Sequence, residues 1–470
     1  MLVLAAVVGL GAYVGVRAWA LSFTHDESIS YVGYVHMPFS SILLSRGTDA
    51  NNHPLNTLAM KLADHVFGPS EIALRGASVA AFIVYAVALV VLLRRVKRRS
   101  LRFLGLSLAI ANPYVLDFFS LARGYGLALA LVAVSALFTV DYVERRRISA
   151  ALVAVVCAAF AVLANFATLT YYFAVLVLIV LPLVVPARTG ERRAPLGRLG
   201  AVLVLPTIAV AFLVGRPLMR LRSEGELYFG GHNGFWQDTV RSLISTTLYR
   251  RGGDFLDVTL VVLIAMMVAG GAVAAAIALR RRSLPLHTTA FMLLAVPAIV
   301  SVVQHYAFDS LFLIERTALF FVPLFAIWLA LAADALARQP RFTTGVTAAA
   351  VVIVIGACIN LASAANLSYV LDWRYDATTE KVITELAGPP SDPRTIGLRV
   401  SYLFQPATRF YRETRFRWLP DSVSDSLDTG SDYYYVIGPD VAVVRERGAR
   451  VIRVYPLSGG VLARDIRARG

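Results

Sequence analysis

Charge is scarce in this chain: 16% of its 470 residues are Asp, Glu, Lys or Arg, against roughly a quarter in ordinary soluble domains. With 58% hydrophobic residues, that scarcity excludes a water-soluble globular protein. Cysteine is almost absent. Cys157 and Cys358 lie in apolar runs far apart in the chain, which excludes a disulfide framework and a thiolate zinc site. The opening run "MLVLAAVVGLGAYVGVRAWALSF" lacks a basic n-region and a small-residue cleavage site, so it is read as a retained span whose abrupt start leaves room for a few upstream residues. No internal repeat or low-complexity segment is evident. The net charge of +15 raises the question of nucleic acid, but the Arg and Lys residues sit in loops between apolar runs, so no nucleic-acid partner is expected.

What is present is a series of apolar stretches of about 20 residues, the length a helix needs to cross a hydrocarbon core about 30 Å thick. Hydropathy places spans near 1-23, 72-93, 103-120, 124-143, 148-165, 169-186, 199-215, 256-279, 287-305, 314-335 and 343-365. The fold class is therefore a polytopic α-helical membrane protein with about 11 transmembrane helices. Alternate connections are basic: "RRVKRRSLR" (94-102), "ERRR" (144-147), "ARTGERRAPLGR" (187-198), "RRRS" (280-283) and "ARQPR" (337-341). By the positive-inside rule these loops and the N-terminus are cytoplasmic, in a multi-pass protein of the plasma membrane whose C-terminus lies outside.

Unusual sequence collects on the outer side, in 24-71, near residue 123, in 216-255, in 305-317 and after about 366. Within 24-71, Leu55, Leu58, Ala59, Leu62, Val66 and Phe67 recur at helical spacing, which predicts a short helix lying along the membrane surface. Two regions result: a transmembrane catalytic domain over 1-365, with outer loops 24-71 and 216-255, and an extracytoplasmic domain over 366-470. In the latter, "LDWRYDATTEKVITELAG" reads as a linker and an amphipathic helix. Strand-like "RTIGLRV", helix-like "PATRFYRETRF", and strand-like "DYYYVIG" and "ARVIRVYP" follow. That alternation predicts a small α/β domain, without a Gly-rich phosphate loop or metal-ligand spacing, that acts as a lid or docking module.

Ionisable groups at membrane depth cost about 2.5 to 3.5 kcal/mol each at a span centre and need a reason. Here they gather at the outer helix ends: Asp26 and Glu27 after span one, Asp117 and Arg123 at span three, Glu315 and Arg316 at span ten. A cavity ringed by these ends suits a lipid head group whose tail stays in the bilayer. Glycosyl transfer from a lipid-phosphate sugar would use such groups: a carboxylate takes the proton of the attacking acceptor hydroxyl, and guanidiniums neutralise the departing phosphate. Asp26 is the candidate base, Glu27 a second carboxylate orienting acceptor or metal, and Arg123 and Arg316 candidate phosphate ligands.

The order of "HDESISY" (25-31), "NNHPLNTLAMKLADHVFGPSEIALR" (51-75), "SLARGYGLALALVAVSALF" (120-138) and "ERTALFFVPLFAIWLA" (315-330) resembles the GT-C membrane glycosyltransferases. The branch most resembled contains protein O-mannosyltransferases and the lipid A aminoarabinose transferase. The resemblance implies a polyprenyl-phosphate sugar donor, an extracytoplasmic reaction and a catalytic Asp in the first outer loop. By it, Asp26 and Glu27 match the acidic pair, Asn52, His53 and Pro54 an "HPP" element, Arg123 and Tyr125 an "RxY" turn that holds the donor phosphate, and Arg316 a later arginine. It is carried mainly by residues 20-140; His25 stands where an aromatic or apolar residue is common, and Leu55 replaces the second proline.

Bland roles stand beside these. Asp26 and Glu27 suit solvated markers of a span end, His53 a turn histidine, and Arg123 and Arg316 snorkelling contacts to lipid phosphate. Glu71 and Arg75, four residues apart, suit an intrahelical pair. His232 in "FGGHNGFW" and its aromatic neighbours suit sugar stacking or interfacial anchoring, so His232 joins His53 and Asn52 as a candidate substrate contact. No cofactor is required by this reading, and a divalent metal is possible without being expected. The acceptor is a lipid, polysaccharide or protein. A transporter of lipid-linked saccharide and a non-catalytic assembly subunit are the other classes; the first would show inverted repeats and broken polar helices at mid-membrane.

Overall fold

A computed structural model of the chain describes residues 2–184, 196–388, 396–419, 427 and 431–466. Most of the basic loop 187-198, the start of the strand-like 394-400, and 420-426 and 428-430 fall outside the described residues. Among those described, eight helices are long and apolar enough to cross a membrane, and Ile148–Ala164 and Phe321–Leu336 are shorter apolar helices. Together they account for ten of the eleven expected spans.

The remaining span, 103-120, is broken into Arg99–Ile110 and Pro113–Phe119. The cause is local. Asn112 stands outside helical geometry and its Oδ1 accepts hydrogen bonds from Tyr114 N (3.0 Å) and Val115 N (3.2 Å), while Pro113 fills the first helical position without needing a donor. The half-helix Pro113–Phe119 is buried throughout and brings Tyr114 and Asp117 to the end of the bundle where the candidate residues lie.

Between the first two long helices the chain forms His25–Ile29, a π-helical turn Ser30–Val35, and the helix Pro54–Phe67. Met60 of that helix is buried and Leu62, Val66 and Phe67 are exposed, whereas Leu55 packs against the main core, so the predicted apolar side is bare in its second half. Lys61 donates through its ammonium to the carbonyls of Val35 and Met37.

The C-terminal region carries a four-stranded sheet of order β1-β2-β4-β3, with β1 Leu398–Val400 parallel to β2 Tyr433–Val436 and the other pairs, involving β3 Ala449–Tyr455 and β4 Gly460–Asp465, antiparallel. The sequence reading missed β4, which sits inside the sheet between β2 and β3. The helices Thr379–Ala387 and Gln405–Thr414 cover it. Their apolar residues form one cluster with Phe23, Tyr31, Val35, Met60 and Leu74 of the first outer loop and its flanks. Phe23 stacks on Phe410 at 4.0 Å, and its backbone N–H donates to the Tyr411 hydroxyl at 2.7 Å. The sheet region therefore grips the chain directly beside Asp26.

Candidate functional site

His25–Ile29 is a single helical turn, far too short to stand alone; what holds it is Glu27. That carboxylate is fully buried and receives five donors: Arg75 Nε (2.8 Å) and Nη2 (2.7 Å), Ala122 N (2.6 Å), Thr24 N (2.9 Å) and Thr24 Oγ1 (3.0 Å). Arg75 uses its remaining N–H groups on the carbonyls of Ala18, Leu21 and Ser22. Glu27 is thus the knot tying the turn His25–Ile29 to the helix Glu71–Leu93, and its carboxylate, enclosed by protein donors, leaves no exposed oxygen for an acceptor or metal. The expected Glu71–Arg75 pair is replaced as well, because Arg75 binds Glu27 and Glu71 pairs with Arg415.

With Glu27 turned inward, Asp26 on the next position points the other way. Its side chain is 15% exposed, and among the described residues its carboxylate pairs with Arg123 alone, at 3.4 Å. Arg123 is 2% exposed at the side chain. It donates to Asp26 O (3.2 Å), Ser30 Oγ (3.0 Å) and Asn51 O (3.2 Å), and to His53 Nε2 at 3.0 Å. A guanidinium can only donate, so His53 Nε2 is the acceptor and the ring proton is on Nδ1. Burial and the Arg123 and Arg316 charges push His53 well below the usual imidazole range, which keeps it neutral. This packing requires Gly124: a Cβ there would lie 1.9 Å from the Ala164 carbonyl oxygen and 2.8 Å from His53 Cβ.

Arg316 contrasts with Arg123. Its side chain is 19% exposed and its nearest carboxylate is Asp372, at 3.8 Å. Its guanidinium makes no hydrogen bond among the described residues. The carbon of the guanidinium lies 3.9 Å from the Phe229 ring centroid and 5.3 Å from that of Trp373. Rings lie over the flat guanidinium while its N–H edge is unclaimed, and Asp26, Tyr125 and Asp372 lie within its electrostatic reach. Glu315, next to it, has φ of +47°, a conformation that costs a non-glycine residue energy. Arg250 donates to its carboxylate at 2.8 Å, and Ser242 Oγ receives its backbone N–H.

The other candidates separate. Tyr125 is buried, its ring packed edge-on to His53 (5.1 Å) and against Phe118 (4.8 Å). Asn52 lies inward: its amide donates to Ile42 O and Ser45 Oγ and accepts from Thr57 Oγ1, so it shapes the loop. His232 is exposed and makes no hydrogen bond or ion pair among the described residues; Phe229, three residues earlier, is the residue of that turn that reaches Arg316. Asp117 lies apart from Asp26 and Arg316 in its bonding. Its carboxylate receives Arg17 (2.5 Å), the Tyr249 hydroxyl (2.9 Å) and Leu371 N (3.0 Å) in a buried knot.

The sequence reading missed the segment that completes the site. Asp372 accepts from the Tyr114 hydroxyl at 2.8 Å and lies 3.6 Å from Arg250 as well as near Arg316. Asp376 accepts from the backbone N–H of His25 at 2.7 Å. Tyr375, between them, lies within reach of the charges of Asp26 and Arg316. A signal for Glu27's role was present, since Thr24 and Glu27 stand at capping-box spacing. Nothing local marks Asp372 or Asp376. No group of three or more His, Cys, Asp or Glu side chains suited to a metal ion occurs among the described residues.

Neither a family model nor a curated protein matches this chain. Among solved structures, ArnT from Cupriavidus metallidurans bound to undecaprenyl phosphate aligns over 99% of this chain and 98% of its own, at 14% identity and a TM-score of 0.52. The apo form of the same protein aligns at 12% identity and a TM-score of 0.49 over 98% and 97%. The oligosaccharyltransferase AglB of Archaeoglobus fulgidus, in complex with an inhibitory peptide and a dolichol-phosphate, aligns at 14% identity and a TM-score of 0.40, covering 87% of this chain and 64% of its own. The first of these shares the overall fold, end to end, so the chain resembles in fold the GT-C group that its motifs resemble in sequence.

Proposed function

We propose that this protein is a membrane glycosyltransferase that moves a sugar from a polyprenyl-phosphate donor to the hydroxyl of an extracytoplasmic acceptor. The observation that carries the reading is a guanidinium on Arg316 that makes no hydrogen bond among the described residues, with the partly exposed carboxylate of Asp26 within its electrostatic reach. The fold shared with a protein crystallised with undecaprenyl phosphate supports a lipid-phosphate donor.

In this reading Asp26 accepts the proton of the acceptor hydroxyl as its oxygen bonds to the anomeric carbon. The bond from that carbon to the phosphate oxygen breaks, and the polyprenyl phosphate leaves with the electron pair. Arg316 binds the phosphate through its N–H edge, a charge-assisted contact that strengthens as negative charge develops. Arg123 aims Asp26 and does not bind the phosphate: four acceptors already hold it, and neutral His53 fixes its far side. A single displacement of this kind inverts the anomeric centre.

The test is a transfer assay on membranes with radiolabelled polyprenyl-phosphate mannose, arabinose and glucose, comparing the wild type with Asp26→Asn. Removing a positioned general base lowers the rate by about 10²- to 10⁴-fold. An Asp26→Asn protein with full activity removes Asp26 as the base. Label that enters no product from any donor favours a carrier or an assembly subunit.

A further inference from the structure

The sequence between the last membrane helix and the sheet region reads as a linker, but the structure fastens it at three places. Arg17 donates to the carbonyls of Asn366 (2.7 Å) and Tyr369 (3.0 Å), and Asp117 receives Leu371 N. Asp372 receives the Tyr114 hydroxyl, and Asp376 receives His25 N while Thr379 Oγ1 donates to its other oxygen at 3.3 Å. These anchors come from the first helix, the broken third span and the first outer turn. A tether needs no such attachments.

What the anchored residues face is the pair assigned above. Asp372 is the carboxylate nearest Arg316, and Trp373 lies over its guanidinium together with Phe229. Asp376 fixes the backbone of His25, the residue before Asp26, in a helical turn too short to hold its own geometry. One strap of the chain therefore touches both halves of the reaction centre, the phosphate arginine at one end and the base-bearing turn at the other.

We infer that the strap 366-376 sets the distance and aim between Asp26 and Arg316, with Asp376 a positioning residue for the base and Asp372 a positioning residue for the phosphate ligand. This rests on the glycosyltransferase reading. Loss of Asp376 then weakens the chemical step, because the base is displaced while the donor still binds. Loss of the Asp372 charge weakens donor binding, because Arg316 loses the carboxylate that orients it and retains only its aromatic neighbours.

The two ends also differ in pH behaviour. Burial pushes the Asp372 carboxyl up to about 6 against the opposing pull of Arg316, the Tyr114 hydroxyl and Arg250, with Glu315 adding to the rise. Below that pH Asp372 takes up a proton and ceases to attract Arg316, so the donor KM rises as pH falls through about 6. In Asp372→Asn, which keeps an acceptor for Tyr114 but carries no charge at any pH, this limb is missing.

The experiment uses the full chain in detergent, with the thermal midpoint of each variant recorded. Undecaprenyl-phosphate binding and transfer kinetics are measured for the wild type, Asp372→Asn, Asp376→Asn and Asp376→Ala between pH 5 and 8. Misplacement of a reacting group by about 1 Å costs on the order of 10²-fold, so Asp376→Ala is expected to lower kcat by about that factor with donor KM unchanged. Asp376→Asn, which still offers an oxygen to His25 N, recovers most of it. Asp372→Asn is expected to raise donor KM about tenfold, the equivalent of one lost charge contact, and to remove the limb near pH 6. Wild-type kinetics in Asp372→Asn and Asp376→Ala overturn the strap and leave the glycosyltransferase reading standing. Equal losses in kcat and affinity that track a fallen thermal midpoint overturn positioning in favour of a purely structural role. A wild type that neither binds undecaprenyl phosphate nor transfers sugar overturns both.

Discussion

Arg123 and Arg316 look equivalent in the sequence, each a single arginine at an outer helix end, and the structure makes them opposites. Arg123 donates through both terminal nitrogens to the protein, and Arg316 makes no hydrogen bond among the described residues while aromatic rings hold its flat faces. A lysine retains the charge at either position but has neither the planar fork nor the stacking face. Arg123→Lys is therefore expected to lower kcat by about 10²-fold through a loosened Asp26, with donor KM nearly unchanged. Arg316→Lys is expected to raise donor KM about tenfold through loss of bidentate phosphate contact. Steady-state kinetics with varied donor separate the two. The reverse pattern would exchange their roles.

At the scale of elements, the helical turn His25–Ile29 is tied down by the buried ion pair that Glu27 and Arg75 close over it. Breaking such a pair by removing one charge costs about 3 to 5 kcal/mol, since the partner is left buried and uncompensated. Glu27→Gln is thus expected to lower the denaturation midpoint strongly, while the folded fraction retains activity well above that of Asp26→Asn. Activity per folded molecule, obtained by titrating the folded fraction during the assay, checks this; a loss equal to that of Asp26→Asn would restore Glu27 as a chemical participant. The sequence singled out Asp26, His53, Arg123 and Arg316 because they fall in short motifs, and the structure brings Asp26, His53 and Arg123 into contact. It did not reveal the Glu27–Arg75 pair because the attractive spacing was the local one, Glu71 to Arg75, whereas the partners are 48 residues apart. Asp376 and His25 are separated by 351 residues, and no periodicity within "LDWRYDATTEK" carries that information. The break at Asn112-Pro113 was legible in principle, since Asn before Pro is a helix-start signal, but the apolar residues on both sides masked it.

For the whole molecule, the membrane helices and the sheet region read from the sequence as two domains joined by a linker, and their packing argues for one cooperative structure. Phe23, Tyr31, Val35, Met60 and Leu74 on one side share a cluster with Val382, Ile383, Phe410 and Tyr411 on the other. Burying one such side chain is worth about 1.5 to 3 kcal/mol, and a typical domain is stable by only about 5 to 15 kcal/mol in total. Exposing even four of them removes a large part of that margin. A chain truncated after Ala364 is therefore expected to lose all transfer activity, and also to show a lowered thermal midpoint and increased proteolysis within 24-71, where those residues become bare. Truncation after Thr378 keeps the strap but not the cluster, so its midpoint should fall almost as far. A docking module held only by a tether predicts instead that both truncations leave the midpoint and the 24-71 cleavage pattern of the membrane part unchanged, and thermal melts with limited proteolysis on the two truncated proteins decide between the alternatives.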